Sequence, residues 1–173
     1  MLVAELRHTK ADLLRRADRD REAVEELNII ANVPMPPGLR SRFLHLKAVL
    51  LERYNSPDAR EHFLESYEHD LLHKDYAGVA ISLLAIARIY FDEQAYDRAR
   101  KRIREALPLA DKCGLVNVVA SLSFLWAEID LAEGKKTSAA TWLMTAREKF
   151  AEYQNEGGVE NATRLLDRLQ AEQ

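Results

Sequence analysis

The chain has 173 residues, of which 47% are hydrophobic and 31% are charged, as in an ordinary globular protein. Its net charge is only −3, from 25 Lys and Arg against 28 Asp and Glu, so a general attraction to nucleic acid or to an anionic membrane is not expected. No apolar run approaches the ~18–20 residues of a membrane-spanning helix, and the single Cys113 excludes an intramolecular disulfide. We therefore predict one domain, located in the cytoplasm.

The first segment, residues 1–32, has the pattern of a degenerate pair of amphipathic helices. Leu6, Leu13 and Leu14 share one face of the first helix, and Leu27 and Ile30 share a face of the second. Residues 33–39 follow with three prolines, a composition that predicts an exposed break in the chain.

A repeat occupies the rest of the chain. Ala59, Ala99 and Ala139 stand 40 residues apart, and a period of about 20–50 residues is typical of a solenoid, in which each unit stacks only on its neighbours. We place three repeats, at residues 40–78, 80–114 and 120–156. Each is interpreted as two antiparallel helices joined by a tight polar turn, such as Asp92–Gln94 in the middle repeat.

Small residues in both helices of the middle repeat let the backbones approach closely, and larger residues fill the space beside them. The positions that carry this pattern are Leu83, Ile86, Ala87, Tyr90, Tyr96, Ala99, Ile103 and Ala106. Their order resembles the tetratricopeptide repeat (TPR), a helix–turn–helix unit of about 34 residues. The resemblance covers residues 40–155 and extends weakly to 1–32. Longer repeats of this kind resemble those of bacterial signalling regulators and kinesin light chains.

The resemblance implies an all-α, TPR-like solenoid of about four antiparallel helix pairs with a capping helix at residues 158–171. The repeats on either side of the middle one each depart from the pattern at one position. Asp130 stands where the middle repeat has Tyr90, and Lys47 replaces a small residue in the repeat before. We expect Lys47 to extend its ammonium outward along its aliphatic stem.

The resemblance also implies a concave groove lined by the first helix of each pair. The groove residues would be Leu44, Ala48, Leu51, Ile81, Leu84, Arg88, Phe91, Phe124, Glu128 and Leu131. This stripe is largely apolar, which is typical of a contact surface, although adjacent repeats or the last helix are an alternative cover for it. Arg88 and Glu128 occupy matching positions, and we expect them to pair with each other or to meet solvent. The Lys and Asn clamp of chaperone-tail adaptors is absent from these positions.

Candidate chemistry is sparse. His62, His69 and His73 lie along one edge of a helix and are considered as metal ligands, but they flank the packing face that contains Ser66 and Asp70, so we predict a solvated edge and no metal. Cys113 has no histidine near it in sequence. We predict no catalytic residue, no cofactor and no enzymatic activity.

The leading hypothesis is a non-catalytic scaffold that binds a protein or peptide through the apolar groove, without direct contact to nucleic acid or membrane. The alternative is a sensor or oligomerisation module of a larger bacterial transcriptional or signalling regulator. A homodimer is considered because Trp142 requires cover, either from a second chain or from Leu165, Leu166 and Leu169 of its own last helix.

Overall fold

In the computed structural model, which describes residues 1–54, 56 and 58–171, the chain forms nine α-helices and no strand within those residues. The all-α fold predicted from the sequence is therefore confirmed. The helices are α1 (Leu2–Arg16), α2 (Asp20–Ile30), α3 (Pro37–Arg53), α4 (Asp58–Leu72), α5 (Tyr76–Asp92), α6 (Tyr96–Lys112), α7 (Val116–Ala132), α8 (Lys136–Glu152) and α9 (Glu156–Ala171).

The last five helices follow a regular spacing along the chain. They begin at residues 76, 96, 116, 136 and 156, at intervals of 20 residues. After α5, the amide N–H of Ala95 donates to the carbonyl oxygen of Tyr90 at 2.8 Å, a bond that satisfies a helix-end carbonyl. Short connections of this kind place successive helices antiparallel. Each of the five connections that precede these helices has one residue in the left-handed region, with φ between 57° and 74°. These residues are Lys74, Gln94, Gly114, Gly134 and Gln154.

The chain divides into two compact units, and the prediction of a single domain stays a prediction. The N-terminal unit is Met1–Ser82 and the C-terminal unit is Leu83–Gln173, so the boundary falls inside α5. The physical reason is that each helix of a repeat fold packs on its sequence neighbours, so no single core draws the whole chain together.

The N-terminal unit has an apolar core shared by its first three helices. Helix α3 begins at Pro37, inside the segment predicted as a break, because Pro suits the first helical position, where an amide N–H would have no partner. The buried residues of this core are Ala4, Ala11, Leu14, Ala23, Leu27, Ile30, Leu39, Phe43, Leu44, Leu46 and Leu50.

The C-terminal unit packs through alternating small and large side chains. Ala99, Ala127 and Ala139, one from each of α6, α7 and α8, have 0% of their surface exposed, and so do the larger Ile103 and Leu143. Small residues at the crossing points let the helices approach, and the larger ones fill the remaining space at the density of a protein interior.

Helix α9 packs on α8 and begins two residues earlier than the predicted capping helix. The side-chain oxygen of Asn155 accepts a hydrogen bond from the amide N–H of Gly158 at 2.9 Å, as an N-cap residue does. Ala162, Leu166 and Leu169 of α9 are buried in one cluster with Ala127 and Leu143.

A buried ion pair explains why Asp130 departs from the repeat pattern. Asp130 is 2% exposed and accepts hydrogen bonds from Arg100 at 2.6 Å and from the Ser138 hydroxyl at 2.5 Å. The same guanidinium donates to both oxygens of Glu133 at 3.0 and 2.6 Å, and this contact lowers the pKa of Glu133 to about 2. Arg100 thus links α6 to the end of α7.

We predict that Gly158→Ala destabilises the contact between α8 and α9. A Cβ atom at this position would lie 2.5 Å from Cγ of Phe150, and overpacking of this kind costs about 1–3 kcal/mol. Gly157→Ala is the matched control, because a Cβ there meets only Oδ1 of Asn155, at 3.9 Å. The control should be neutral or stabilise the fold by up to about 1 kcal/mol, through helix propensity. Urea unfolding followed by circular dichroism measures both variants, and equal stabilities would contradict the contact.

A second prediction concerns the buried ion pair. Arg100→Met leaves the Asp130 carboxylate buried without its cation, which should lower the free energy of unfolding by about 3–5 kcal/mol. Lys101→Met removes an exposed positive charge from the same helix and should change stability by less than about 0.5 kcal/mol. Guanidinium chloride unfolding compares the two variants. Similar losses in both would show that Arg100 acts only as a surface charge.

Candidate functional site

In the N-terminal unit, packing takes up half of the predicted groove residues. Leu44 is 4% exposed and belongs to the apolar core, and Ala48 is 0% exposed. Leu51 and Ile81 are half-buried and keep part of their surface accessible. Of the four predicted groove residues in this unit, Leu51 and Ile81 are therefore the two that a ligand could contact.

In the C-terminal unit, all six predicted groove residues are half-buried, the state of a side chain at the edge of a core. Arg88 and Glu128 form an ion pair with 2.6 Å between Nη1 and Oε2, one of the two arrangements expected for them. The Arg88 guanidinium also lies 5.4 Å from the centre of the Phe91 ring. The six residues are Leu84, Arg88, Phe91, Phe124, Glu128 and Leu131.

A concavity of about 370 Å³ lies on this face and is lined by residues of α5, α7, α8 and α9 and by Asn155 before α9. We call it the amide groove, because three asparagines line it in addition to the predicted residues. The side-chain N–H of Asn155 donates to Oδ1 of Asn117 at 3.3 Å, which ties the start of α7 to the connection before α9. The lining residues are Arg88, Asn117, Ser121, Phe124, Phe150, Asn155, Gly157, Gly158 and Asn161.

The polar character of the amide groove is the feature that sequence reasoning missed. Asn117, Ser121 and Asn161 stand at the starts of α7 and α9, outside the apolar stripe used to find the groove. The signal available in the sequence was the recurrence of Asn and Ser near helix starts, where such residues ordinarily serve as caps and turns.

Two residues of the predicted stripe pack against an apolar cluster to which the last helix contributes. Phe124 and Leu131 pack against the cluster that includes Leu166 and Leu169 of α9, and the Phe124 ring meets the Phe150 ring edge-on, with centroids 6.2 Å apart. Phe124 and Leu131 therefore lose part of their accessible surface to packing within the unit.

Trp142 receives cover from its own unit. Its ring lies 5.1 Å from that of Trp126, and it packs against the cluster that contains Leu166 and Leu169. The cover that motivated a dimer through Trp142 is thus available within one chain. Self-association through this surface stays a prediction.

A larger concavity, of about 560 Å³, lies in the N-terminal unit between α1, α3, α4 and the start of α5. We call it the Asp70 cleft. Most of its accessible surface is apolar, from residues such as Val49 and Ile81. The polar side chains that line it include His8, Asp12, Arg15, His45, Ser66, Asp70 and Ser82.

Asp70 is the least expected residue of this cleft. It is 1% exposed, and neither carboxylate oxygen accepts a hydrogen bond within the described part of the chain. Burial raises the pKa of the Asp70 carboxyl. The hydroxyls of Ser41 and Ser82 approach without hydrogen-bond geometry and lower this pKa by less than burial raises it. The cleft therefore contains a carboxyl group whose oxygens could accept hydrogen bonds from a ligand.

Two histidines share the cleft, and each has one unpartnered ring nitrogen. These atoms are Nε2 of His8 and Nδ1 of His45. Burial, with a smaller effect from the Arg15 charge, lowers the pKa of His45 to about 4, and burial also lowers the pKa of His8. The His45 imidazole is consequently neutral at pH 7 and meets the Phe63 ring edge-on at 5.3 Å between centroids.

The histidines singled out in the sequence are arranged differently. His62 contacts Glu65 at 2.9 Å, and His73 stacks on His69 with centroids 4.3 Å apart. Within the described residues no group of three or more His, Cys, Asp or Glu side chains is placed to hold a metal ion. Cys113 is exposed at the end of α6. No helix among these residues is long and apolar enough to cross a bilayer.

Comparison with known proteins identifies the fold. BtubC (BKLC) from P. vanneervenii superposes with a TM-score of 0.60 at 17% identity, over 97% of this chain and 77% of that one. A kinesin light chain from Podosopora anserina with nearly identical TPR-like repeats gives 0.65 at 17% identity, over 98% and 95%. A variant of that protein gives 0.66 at 17% identity, over 99% and 95%. The predicted TPR-like repeat fold is thereby confirmed. No protein-family model and no curated sequence matches the chain.

The neutral state of His45 leads to a prediction about pH. Because its folded-state pKa of about 4 lies below the usual 6.5, the unfolded chain binds the proton first, and stability falls as pH drops from 6.5 to 4. The His45→Leu variant has no imidazole to protonate at this position. Its free energy of unfolding should therefore fall less over this pH range than that of wild type, by up to about 3 kcal/mol. Urea unfolding at pH 7 and pH 4.5 measures the difference between wild type and variant. An imidazole NMR titration of His45 with its midpoint near 6.5 would contradict the prediction.

Proposed function

We propose that the chain is a non-catalytic protein-interaction scaffold that holds an extended peptide segment in the amide groove of the C-terminal unit. The TPR-like fold supports the general role, because stacked helix pairs present an extended concave surface for binding. The observation that carries the proposal is the concavity of about 370 Å³ lined by α5, α7, α8 and α9.

The chemistry of the lining suits a peptide main chain. Each asparagine side chain offers two N–H donors and a carbonyl acceptor, so Asn117 and Asn161 match the donor and acceptor of a peptide group. Both stand near helix starts and line the same concavity. Main-chain recognition of this kind tolerates many sequences, and the apolar Phe124 and Phe150 beside it supply contacts for side chains.

The charges of the groove are balanced. Arg88 and Glu128 neutralise each other at 2.6 Å, so the groove carries no strong selection for an acidic or a basic segment. We therefore expect a preferred peptide with little net charge and with aliphatic side chains for the aromatic wall.

Ser121→Arg tests the groove without disturbing the core. Ser121 is half-buried, lines the concavity and contributes to neither apolar cluster of the unit. A long charged side chain there should occupy the groove and weaken peptide binding about tenfold or more. Phe124 is less suitable, because it packs on Phe150 and its loss would test folding. The measurement is fluorescence polarisation with peptides selected on a display library by the wild-type protein.

Thr141→Arg is the matched control. Thr141 is exposed on the second helix of its pair, outside the groove lining, so the same charge added there should leave peptide affinity unchanged. Equal affinity of wild type and Ser121→Arg for the selected peptides would place their binding elsewhere and overturn the proposal.

A further inference from the structure

Four polar atoms of the Asp70 cleft have no hydrogen-bond partner among the residues that the structure describes. They are Nε2 of His8, Nδ1 of His45 and both carboxylate oxygens of Asp70. The three side chains come from α1, α3 and α4, so that separate helices bring unsatisfied groups to one cleft. A buried polar group without a partner is costly and is uncommon in native proteins. A cluster of them around one cavity indicates a partner that comes from outside the chain.

Repeat packing does not require these polar residues. The later repeats place apolar side chains at the matching positions, 40 and 80 residues further along the chain. Asp70 corresponds to Ala110 and Phe150, Ser66 to Ala106 and Ala146, His45 to Ala85 and Leu125, and Ser82 to Leu122 and Ala162. The polar set is therefore a property of the N-terminal unit and is not part of the repeat pattern.

Among the described residues, the charged side chains that line the cleft have other partners and do not pair with Asp70. Arg15 pairs with Asp12 at 2.9 Å, and Nε of the exposed Arg42 donates to the Gly38 carbonyl at 3.2 Å. The remaining acid, Asp75, accepts the amide N–H of Gly78 at the start of α5. A cationic ligand would complete this arrangement, because it adds the missing charge beside the buried carboxylate.

The apolar lining of the cleft indicates the chemistry of the uncharged part of the ligand. Leu46, Val49 and Ile81 line it, and a volume of about 560 Å³ lies in the ordinary range of small-molecule sites. The described residues contain no metal-holding group of acids, cysteines and histidines. These features favour an organic cation with an apolar body over a metal ion.

We propose that the Asp70 cleft binds a small primary amine with an apolar body. The ammonium donates to the Asp70 carboxylate and to Nδ1 of His45, and the body of the ligand packs on Val49 and Ile81. All of these residues belong to the N-terminal unit, so the site is separate from the amide groove and does not rest on its function.

The test compares ligands of one shape and different charge. Phenylbutylamine, phenylbutanol and phenylbutyrate are titrated into the full chain, and amide NMR shifts map where each one binds. We expect the amine to bind at the cleft, about tenfold or more tighter than the alcohol, and the carboxylate to bind least.

Three variants test whether the preference for the amine comes from the charge of Asp70. Asp70→Asn keeps the shape and removes the charge, and should abolish the preference for the amine over the alcohol. Val49→Trp fills part of the apolar lining of the cleft and should weaken binding of the amine and of the alcohol alike. Glu68→Gln removes an exposed charge from the same helix and should change neither. Because the Asp70 carboxylate forms no ion pair within the described residues, Asp70→Asn should fold, which urea unfolding checks.

Each contrary result overturns the proposal. The alcohol binding as tightly as the amine, the preference surviving in Asp70→Asn, or shifts that map outside the cleft would each do so. No saturable binding of the amine below about 10 mM would do so as well. Recognition of a lysine-containing peptide without recognition of the free amine would assign the cleft to a protein partner.

Discussion

Close approach of successive helices is the constraint on which the rest of the structure depends. It is clearest near the end of the second helix of a pair, where a large side chain faces a glycine on the next helix. A Cβ atom on Gly158 would lie 2.5 Å from the Phe150 ring, and one on Gly78 would lie 2.6 Å from the Asp70 carboxyl. The middle pair has the opposite solution at the matching positions, with the small Ala110 and the larger Val118. The facing residues of two successive helices must fit into a fixed volume, because protein interiors are close-packed. A larger residue on one helix therefore requires a smaller one on the other.

Among the residues that the structure describes, two aspartates are deeply buried, and their surroundings differ. Asp130 is neutralised by Arg100 and hydrogen-bonded by Ser138, so its carboxylate contributes to the packing of α6 and α7. Asp70 is equally buried, and its two oxygens have no partner within the described residues. The energetic consequence follows from desolvation, which penalises an unpaired charge far more than a paired one. This contrast is why a ligand is assigned to Asp70 and none to Asp130.

The two concave surfaces differ in chemistry as well as in place. The amide groove combines asparagine side chains with a neutralised ion pair, and it suits the uncharged but polar main chain of a peptide. The Asp70 cleft is mostly apolar around one carboxyl group, and it suits a compact ligand with a single positive charge. Each unit thus presents one surface whose chemistry follows from a few polar residues placed on an otherwise regular helical framework.

The sequence by itself determined the all-α repeat fold, because small and large residues recur at spacings that only packed helix pairs satisfy, as at Ala99, Ile103 and Ala139. It also placed Arg88 and Glu128 at matching positions, from which their pairing could be expected. Tertiary structure decided which positions on a helix face stay accessible. Leu44 and Ala48 are buried, and Phe124 and Leu131 pack against a cluster shared by α7, α8 and α9, because burial depends on neighbours that periodicity does not specify. The Asp70 cleft could not be predicted from the sequence either. Its side chains come from helices that are distant in sequence, and only packing brings them together.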